Sequence, residues 1–336
     1  AAHLTLTQQL FPQSYLATRL NGVTWTLTVF ALFYLVFPLL APLCVRRPLP
    51  TLGALCAVQL GYTLWALPQY GSDAYSSLFN QFPAFCGVLA VGLALMLYYA
   101  AHKQGYHVDE LYTYELANYP GGFYALEDGY MDTWHDGSFY SAVLTPGRLF
   151  DYTIPWNNQK IDVHPPLYYC LIYTAESLFP QLGLPWVGLL PNFVCILAGA
   201  AVLYCTAKRL IRRFWPAWTA AACWLLCVGV QGMAVFTRMY SLMMLEGIVL
   251  LYCHVVLWQA LQAGQKPPRA VWPGLFAVTM AGALTQYFFL VFCFFVCGLF
   301  GVWLLAARRF KTAGGYVIAE FAALAAAYAA FPTMKA

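Results

Sequence analysis

Apolar residues in this chain come in long unbroken runs, not in the alternating or one-sided patterns of soluble strands and helices. A helix needs ~20 mostly apolar residues to cross a bilayer core. Residues 22–44, 84–101, 186–207, 215–234, 239–261, 288–307 and 314–331 are runs of about that length, and 51–67 and 271–285 are shorter. None alternates apolar and polar positions as barrel strands do. The pattern therefore predicts an all-α membrane protein, a polytopic helical bundle. Composition agrees: 62% hydrophobic, 9% charged and a mean hydropathy of +0.64, against roughly 25% charge in a soluble domain.

Charge changes the picture through its placement. Nine of the thirteen acidic residues lie between His102 and His164: Asp109, Glu110, Glu115, Glu127, Asp128, Asp132, Asp136, Asp151 and Asp162. Only Lys103, Arg148 and Lys160 oppose them, so a basic nucleic-acid-binding surface is excluded. The later basic residues cluster at 208–213, 266–269 and 308–311, after every second span, while the intervening connections carry only Arg238 and Lys335. Positive residues favour the cytoplasmic side. All three clusters are therefore expected inside. The acidic loop (about 102–185), the 237–240 and 286–287 turns and the chain end are expected outside.

Segment 164–180 (HPPLYYCLIYTAESLFP) is apolar but too short to cross. Pro165 and Pro166 suit a first helical turn, and its tyrosines suit an interfacial belt. A helix lying at the outer interface is expected. Two modules follow: membrane segments of unsettled topology at 1–83, where Arg46 and Arg47 fall outside against the rule, and a membrane module at 84–336. The start at Ala1 instead of Met is expected of a processed or incomplete chain.

A helix is predicted from near Asp109 to just before Pro120-Gly121-Gly122. Asp109 can cap it, or Asp109 and Glu110 can serve as a general base or metal ligands just beyond a span. Asp162 and His164 form a turn or a site. His102, His107 and His135 add nitrogens, but no pair has a zinc-type spacing, so no cofactor is required and a divalent metal is left open. Arg238 is either an interfacial anchor or a cation for a lipid phosphate, which its planar fork matches. Glu246 and Glu320 lie inside spans, where carboxylates are costly and usually face the bundle interior. The eleven cysteines all sit in or beside apolar segments, so Cys223/Cys227 and Cys293/Cys297, one turn apart, read as small hydrophobes. No disulfide framework is visible.

HVDELYTYELAN (107–118), DVHPPLYY (162–169), RMYSL (238–242) and TQYFF (285–289) together resemble the GT-C glycosyltransferases. Bacterial members of the dolichyl-phosphate-mannose–protein mannosyltransferase group (family 39) are the most similar, from Tyr106 to the chain end. The resemblance implies a GT-C-type bundle with interfacial helices in a large first external loop. It implies a mannosyltransferase-like transfer from a polyprenyl-phosphate-linked sugar, on the extracytoplasmic face of a bacterial plasma membrane, serving the cell envelope. The acidic pair falls on Asp109 and Glu110; Asp162, His164, Arg238, Tyr240 and Gln286 fall at donor-binding positions. Such a transfer needs a base for the acceptor hydroxyl and positive charge for the departing phosphate, which Arg238 and a protonated His164 can supply. Inversion at the anomeric carbon is expected. The other seven carboxylates are expected to be solvated loop.

Three departures stand out. Extra apolar sequence precedes the loop, Gln286 stands where relatives often have His, and family members continue beyond residue 332, so a C-terminal part is expected to be missing. A transporter or flippase is the main rival, sustained by Glu246 and Glu320, although it predicts midplane charge and internal repeats. A catalytically inert scaffold binding lipid-linked sugars is a second.

Overall fold

The structure, a computed structural model, describes residues 92–124, 130, 133–182, 186–212 and 214–333, with scattered positions between 47 and 65. The expected span at 22–44, the topology before residue 84, Glu127, Asp128 and Asp132 lie outside the described residues. What is described is helical, with no strand.

In chain order the helices are α1 (Gly92–Ala101), α2 (Val108–Asn118), α3 (Thr153–Asn158), α4 (Leu167–Leu178), α5 (Trp186–Ile211), α6 (Phe214–Leu226), α7 (Val228–Ala234), α8 (Tyr240–Gln262), α9 (Val271–Thr285), α10 (Tyr287–Ala306) and α11 (Phe310–Ala330). Four of them, α5, α8, α10 and α11, are long and apolar enough to cross a membrane. Helix α9 coincides with its predicted segment, but its 15 residues reach only about 22 Å. The chain forms two compact units, one containing residues 213–232 and the other residues 96–212 and 233–336.

The run expected as one span at 215–234 is not one continuous helix: it is two, α6 and α7, interrupted at Cys227. The sequence there, Cys-Val-Gly-Val-Gln-Gly, has two glycines, which favour helix poorly. Gln231 also turns its amide onto the Leu225 carbonyl, a side-chain bond that competes with the regular ladder.

In the larger unit, α5 packs on α8, α8 on α9, and α9 on α11, while α4 sits across α2 and α5. The packing is close where side chains are small. A methyl group on Gly188 of α5 would overlap the Tyr114 hydroxyl of α2, and one on Gly282 would overlap the Phe289 ring. Helix α10 turns Phe294, Phe295, Leu299 and Val302 outward, each 60% exposed or more, an apolar surface of the kind a bilayer covers.

The two ends of this unit differ. At one end Arg209 donates to the Tyr252 hydroxyl (3.1 Å), Gln259 donates to the Arg209 carbonyl (2.9 Å) and Arg309 donates to the Leu261 carbonyl (3.1 Å). The basic ends of α5, α8 and α10 are therefore together. The opposite end carries α2, α4 and the 235–239 turn.

Candidate functional site

Helix α2 starts through a reciprocal cap. His107 Nδ1 accepts from the Asp109 N–H (3.1 Å), and Glu110 Oε2 accepts from the His107 N–H (2.9 Å). The cap is thus His107, not Asp109 as expected, because the helix begins at Val108 and places Asp109 inside its first turn. The Asp109 carboxylate is left 40% exposed, with the His107 ring at 3.8 Å.

Glu110 is quite different. It is 1% exposed, and its oxygens accept from Lys103 Nζ (3.0 and 2.8 Å), the His107 N–H and the Thr237 N–H (2.8 Å). Lys103 also donates to the Val235 carbonyl (3.0 Å). Glu110 and Lys103 together join the start of α2 to the 235–237 turn. The adjacent acids of the sequence are therefore one open carboxylate and one saturated, buried clamp.

Arg238 stands at the end of that turn, 7% exposed. Its Nη1 donates to the Asp109 carbonyl (3.2 Å) and Thr113 Oγ1 (3.3 Å), and its Nη2 faces His164 Nε2 at 3.4 Å. Its Nε has no partner among the described residues. Burial works against its charge, but Tyr169, Asp109, Tyr240 and Asp162 around it raise its pKa above the usual arginine value. An interfacial anchor that snorkels to water does not fit so enclosed a position.

His164 Nδ1 lies 2.9 Å from Asp162 Oδ2. A guanidinium only donates, so Nε2 meets Arg238 with its lone pair and Nδ1 gives its proton to Asp162. His164 is therefore an orienting acceptor for Arg238, which corrects its expected role as a second cation. Burial opposes the Asp162 charge, but the hydrogen bonds from His164 and the Val163 N–H, with the Arg238 charge, hold its carboxyl below the usual range. With its amide nitrogen turned toward them, Gln159 donates to Asp162 Oδ2 (3.2 Å) and the His164 carbonyl (2.8 Å).

The Tyr240 hydroxyl lies beside Arg238, and its ring stacks on Phe236. Gln286 is buried but caps α10, its Oε1 accepting from the Tyr287 N–H (2.8 Å), and does not bond to Arg238 or His164. Glu246 accepts from Thr285 (2.7 Å), within the bundle. His102 bonds back to the Tyr98 carbonyl and His135 packs on Phe139, away from this cluster. Glu115, expected in solvent, is fully buried, since α2 turns that face onto its neighbours.

Sequence reasoning missed three residues. Tyr169 is completely buried, its hydroxyl has no hydrogen-bond partner among the described residues, and its nearest charges include Arg238, Asp162 and Asp109. Asn192 donates to the Met233 (3.2 Å) and Phe236 (2.6 Å) carbonyls and accepts from Tyr168 (2.9 Å), fixing the turn that presents Arg238. Lys103 is the third. Asn192 stands out in the sequence only as a polar residue in an apolar run. Tyr169 is one of many tyrosines and carries no such signal. Searches against protein-family models, curated proteins and solved structures found no match for this chain.

Proposed function

We propose that this chain is a membrane glycosyltransferase that moves a sugar from a polyprenyl-phosphate donor to an acceptor hydroxyl at the extracytoplasmic face, in the manner of the GT-C enzymes its motifs resemble. The observation that carries this reading is the pairing of a deeply enclosed Arg238, with an unpartnered Nε, and an open Asp109 carboxylate beside it. An enclosed guanidinium suits a phosphate, and an accessible carboxylate suits proton abstraction. Val108, Ile161 and Val163, neighbours in sequence of Asp109 and Asp162, expose 49%, 69% and 71% of their surface. That apolar rim suits the hydrocarbon tail of a lipid-linked donor.

In the reaction, Asp109 takes the proton of the acceptor hydroxyl, whose oxygen attacks the anomeric carbon. The bond from that carbon to the phosphate oxygen breaks, and the phosphate leaves with the electron pair. The anion is stable, so no acid is needed, and Arg238 stabilises the charge as it develops. His164, held by Asp162 and Gln159, fixes the guanidinium plane. Attack opposite the leaving group inverts the anomeric centre. Glu110 serves as the clamp and not as a second base.

The test is reconstitution with polyprenyl-phosphate sugars and assay of acceptor-dependent release of the lipid phosphate. Asp109→Asn should lower turnover by about 10²–10⁴-fold, the usual contribution of a general base, with insertion unchanged. Full activity in that variant removes Asp109 as the base. Movement of the intact lipid-linked sugar across the bilayer, without transfer, supports a flippase instead.

A further inference from the structure

Far from this site, the middles of α8, α9, α10 and α11 bring polar side chains together inside the bundle. Cys293 and Cys297 of α10 have their sulfurs 3.5 Å apart. A carboxylate oxygen of Glu320, on α11, lies within 4.8 Å of both sulfurs. His254 of α8 points Nε2 at Cys297 Sγ from 4.0 Å. Cys293, Glu320 and His254 are 6%, 7% and 6% exposed. Ligand atoms around a tetrahedral zinc lie about 3.4–3.8 Å apart, given Zn–S near 2.3 Å and Zn–N or Zn–O near 2.0–2.2 Å. The two sulfurs already have that spacing, and the histidine nitrogen, 4.0 Å from Cys297 Sγ, completes the set by moving in toward the group of Cys293, Cys297 and Glu320.

The supporting contacts also have the form of a metal site. His254 Nδ1 bonds to the Leu250 carbonyl (2.7 Å), so the proton is on Nδ1 and the lone pair is on Nε2, which meets the Tyr316 hydroxyl and Cys297 Sγ. Thr279 of α9 donates to Glu320 Oε2 (2.7 Å) and orients the carboxylate. The other oxygen, Oε1, is buried without a hydrogen-bond partner among the described residues. A carboxylate at this depth is expensive and usually has a functional reason. A lone pair of cysteines one turn apart has no such weight, but here a histidine and a carboxylate from two other helices converge on them.

We propose that Cys293, Cys297, Glu320 and His254 bind a zinc ion inside the helical bundle. The metal displaces the two thiol protons and the bond that Nε2 now takes from the Tyr316 hydroxyl (2.7 Å). It neutralises buried carboxylate charge and ties α10 to α8 and α11. Helix α10 gains most from such a tie, because only 17% of its most apolar stretch is buried. This site is independent of the transfer reading.

The full chain in detergent micelles, loaded with Co²⁺, decides the matter. Thiolate-to-cobalt charge-transfer absorption with tetrahedral ligand-field bands, both erased by added Zn²⁺, is the expected result. About one zinc per chain should survive dialysis, given the affinity of thiolate-containing sites. Cys297→Ser and Glu320→Gln should each weaken zinc binding at least tenfold. No thiolate–cobalt band in the wild-type chain, or unchanged zinc affinity in a folded Cys297→Ser variant, overturns the site. The wild-type spectrum decides it even where a variant fails to fold.

Discussion

Lys103 places its ammonium within bonding distance of both oxygens of Glu110, and the pair is 13% and 1% exposed. Breaking a buried ion pair by removing one partner costs roughly 3–5 kcal/mol, because the other charge is left without compensation. Glu110→Gln keeps the size but leaves the Lys103 ammonium in that position. It should lower the thermal midpoint in detergent clearly, whereas Asp109→Asn should barely move it. Equal midpoints for the two variants would remove the clamp role. The sequence makes Asp109 and Glu110 visible as a pair but cannot divide their roles. The dividing partner, the Thr237 N–H, comes from 127 residues away, and no local pattern encodes it. Arg238 and His164 were legible for the opposite reason: Arg238 is the only basic residue between Arg213 and Lys266, and His164 stands two residues after Asp162 and before two prolines. The contact between them, which makes His164 an acceptor, was not.

Helix α4 shows what an element adds. Its prolines and length are read directly from HPPLYYCLIYTAESLFP, and the helix Leu167–Leu178 follows. Its inward face is less legible, because Tyr168, Tyr169, Ile172, Tyr173 and Glu176 are all buried. That face makes a carboxylic acid part of a core. Burial pushes the Glu176 pKa from 4.5 up to about 8, against the lowering effect of Asn118, its polar neighbour among the described residues. The folded chain therefore keeps a proton that the unfolded chain has lost. Stability from this group is complete below about pH 4.5 and declines as pH rises, levelling off above about pH 8. Glu176→Gln mimics the protonated acid. It should raise the thermal midpoint by several degrees at pH 8 and give no gain near pH 4. A gain of the same size at both pH values would show that the Glu176 charge has no part in it.

The arrangement of the whole unit follows from where its charges are tolerated. Hydropathy located the spanning helices because apolar length is a property of local sequence. It did not show the break at Cys227, where glycines and a glutamine divide the run into α6 and α7. Basic residues predicted a common end for the connections after α5, α8 and α10, and bonds from Arg209, Gln259 and Arg309 hold those ends together. Arg238, Asp109 and His164 belong to the other end, so a bilayer around α5, α8, α10 and α11 separates the basic connections from the candidate site. In the proposed reading, the positive-inside preference places the site on the outer face. Arg148, 81% exposed on the site side, and Gly264, in the exposed turn after α8, are suitable reporters. An epitope tag inserted before Arg148 should be stained by antibody on intact spheroplasts, and a tag after Gly264 only after permeabilisation. The reverse staining would put the site on the cytoplasmic side and remove the extracytoplasmic transfer reaction. Staining of both tags on intact cells would mean that α8 does not separate them across a membrane.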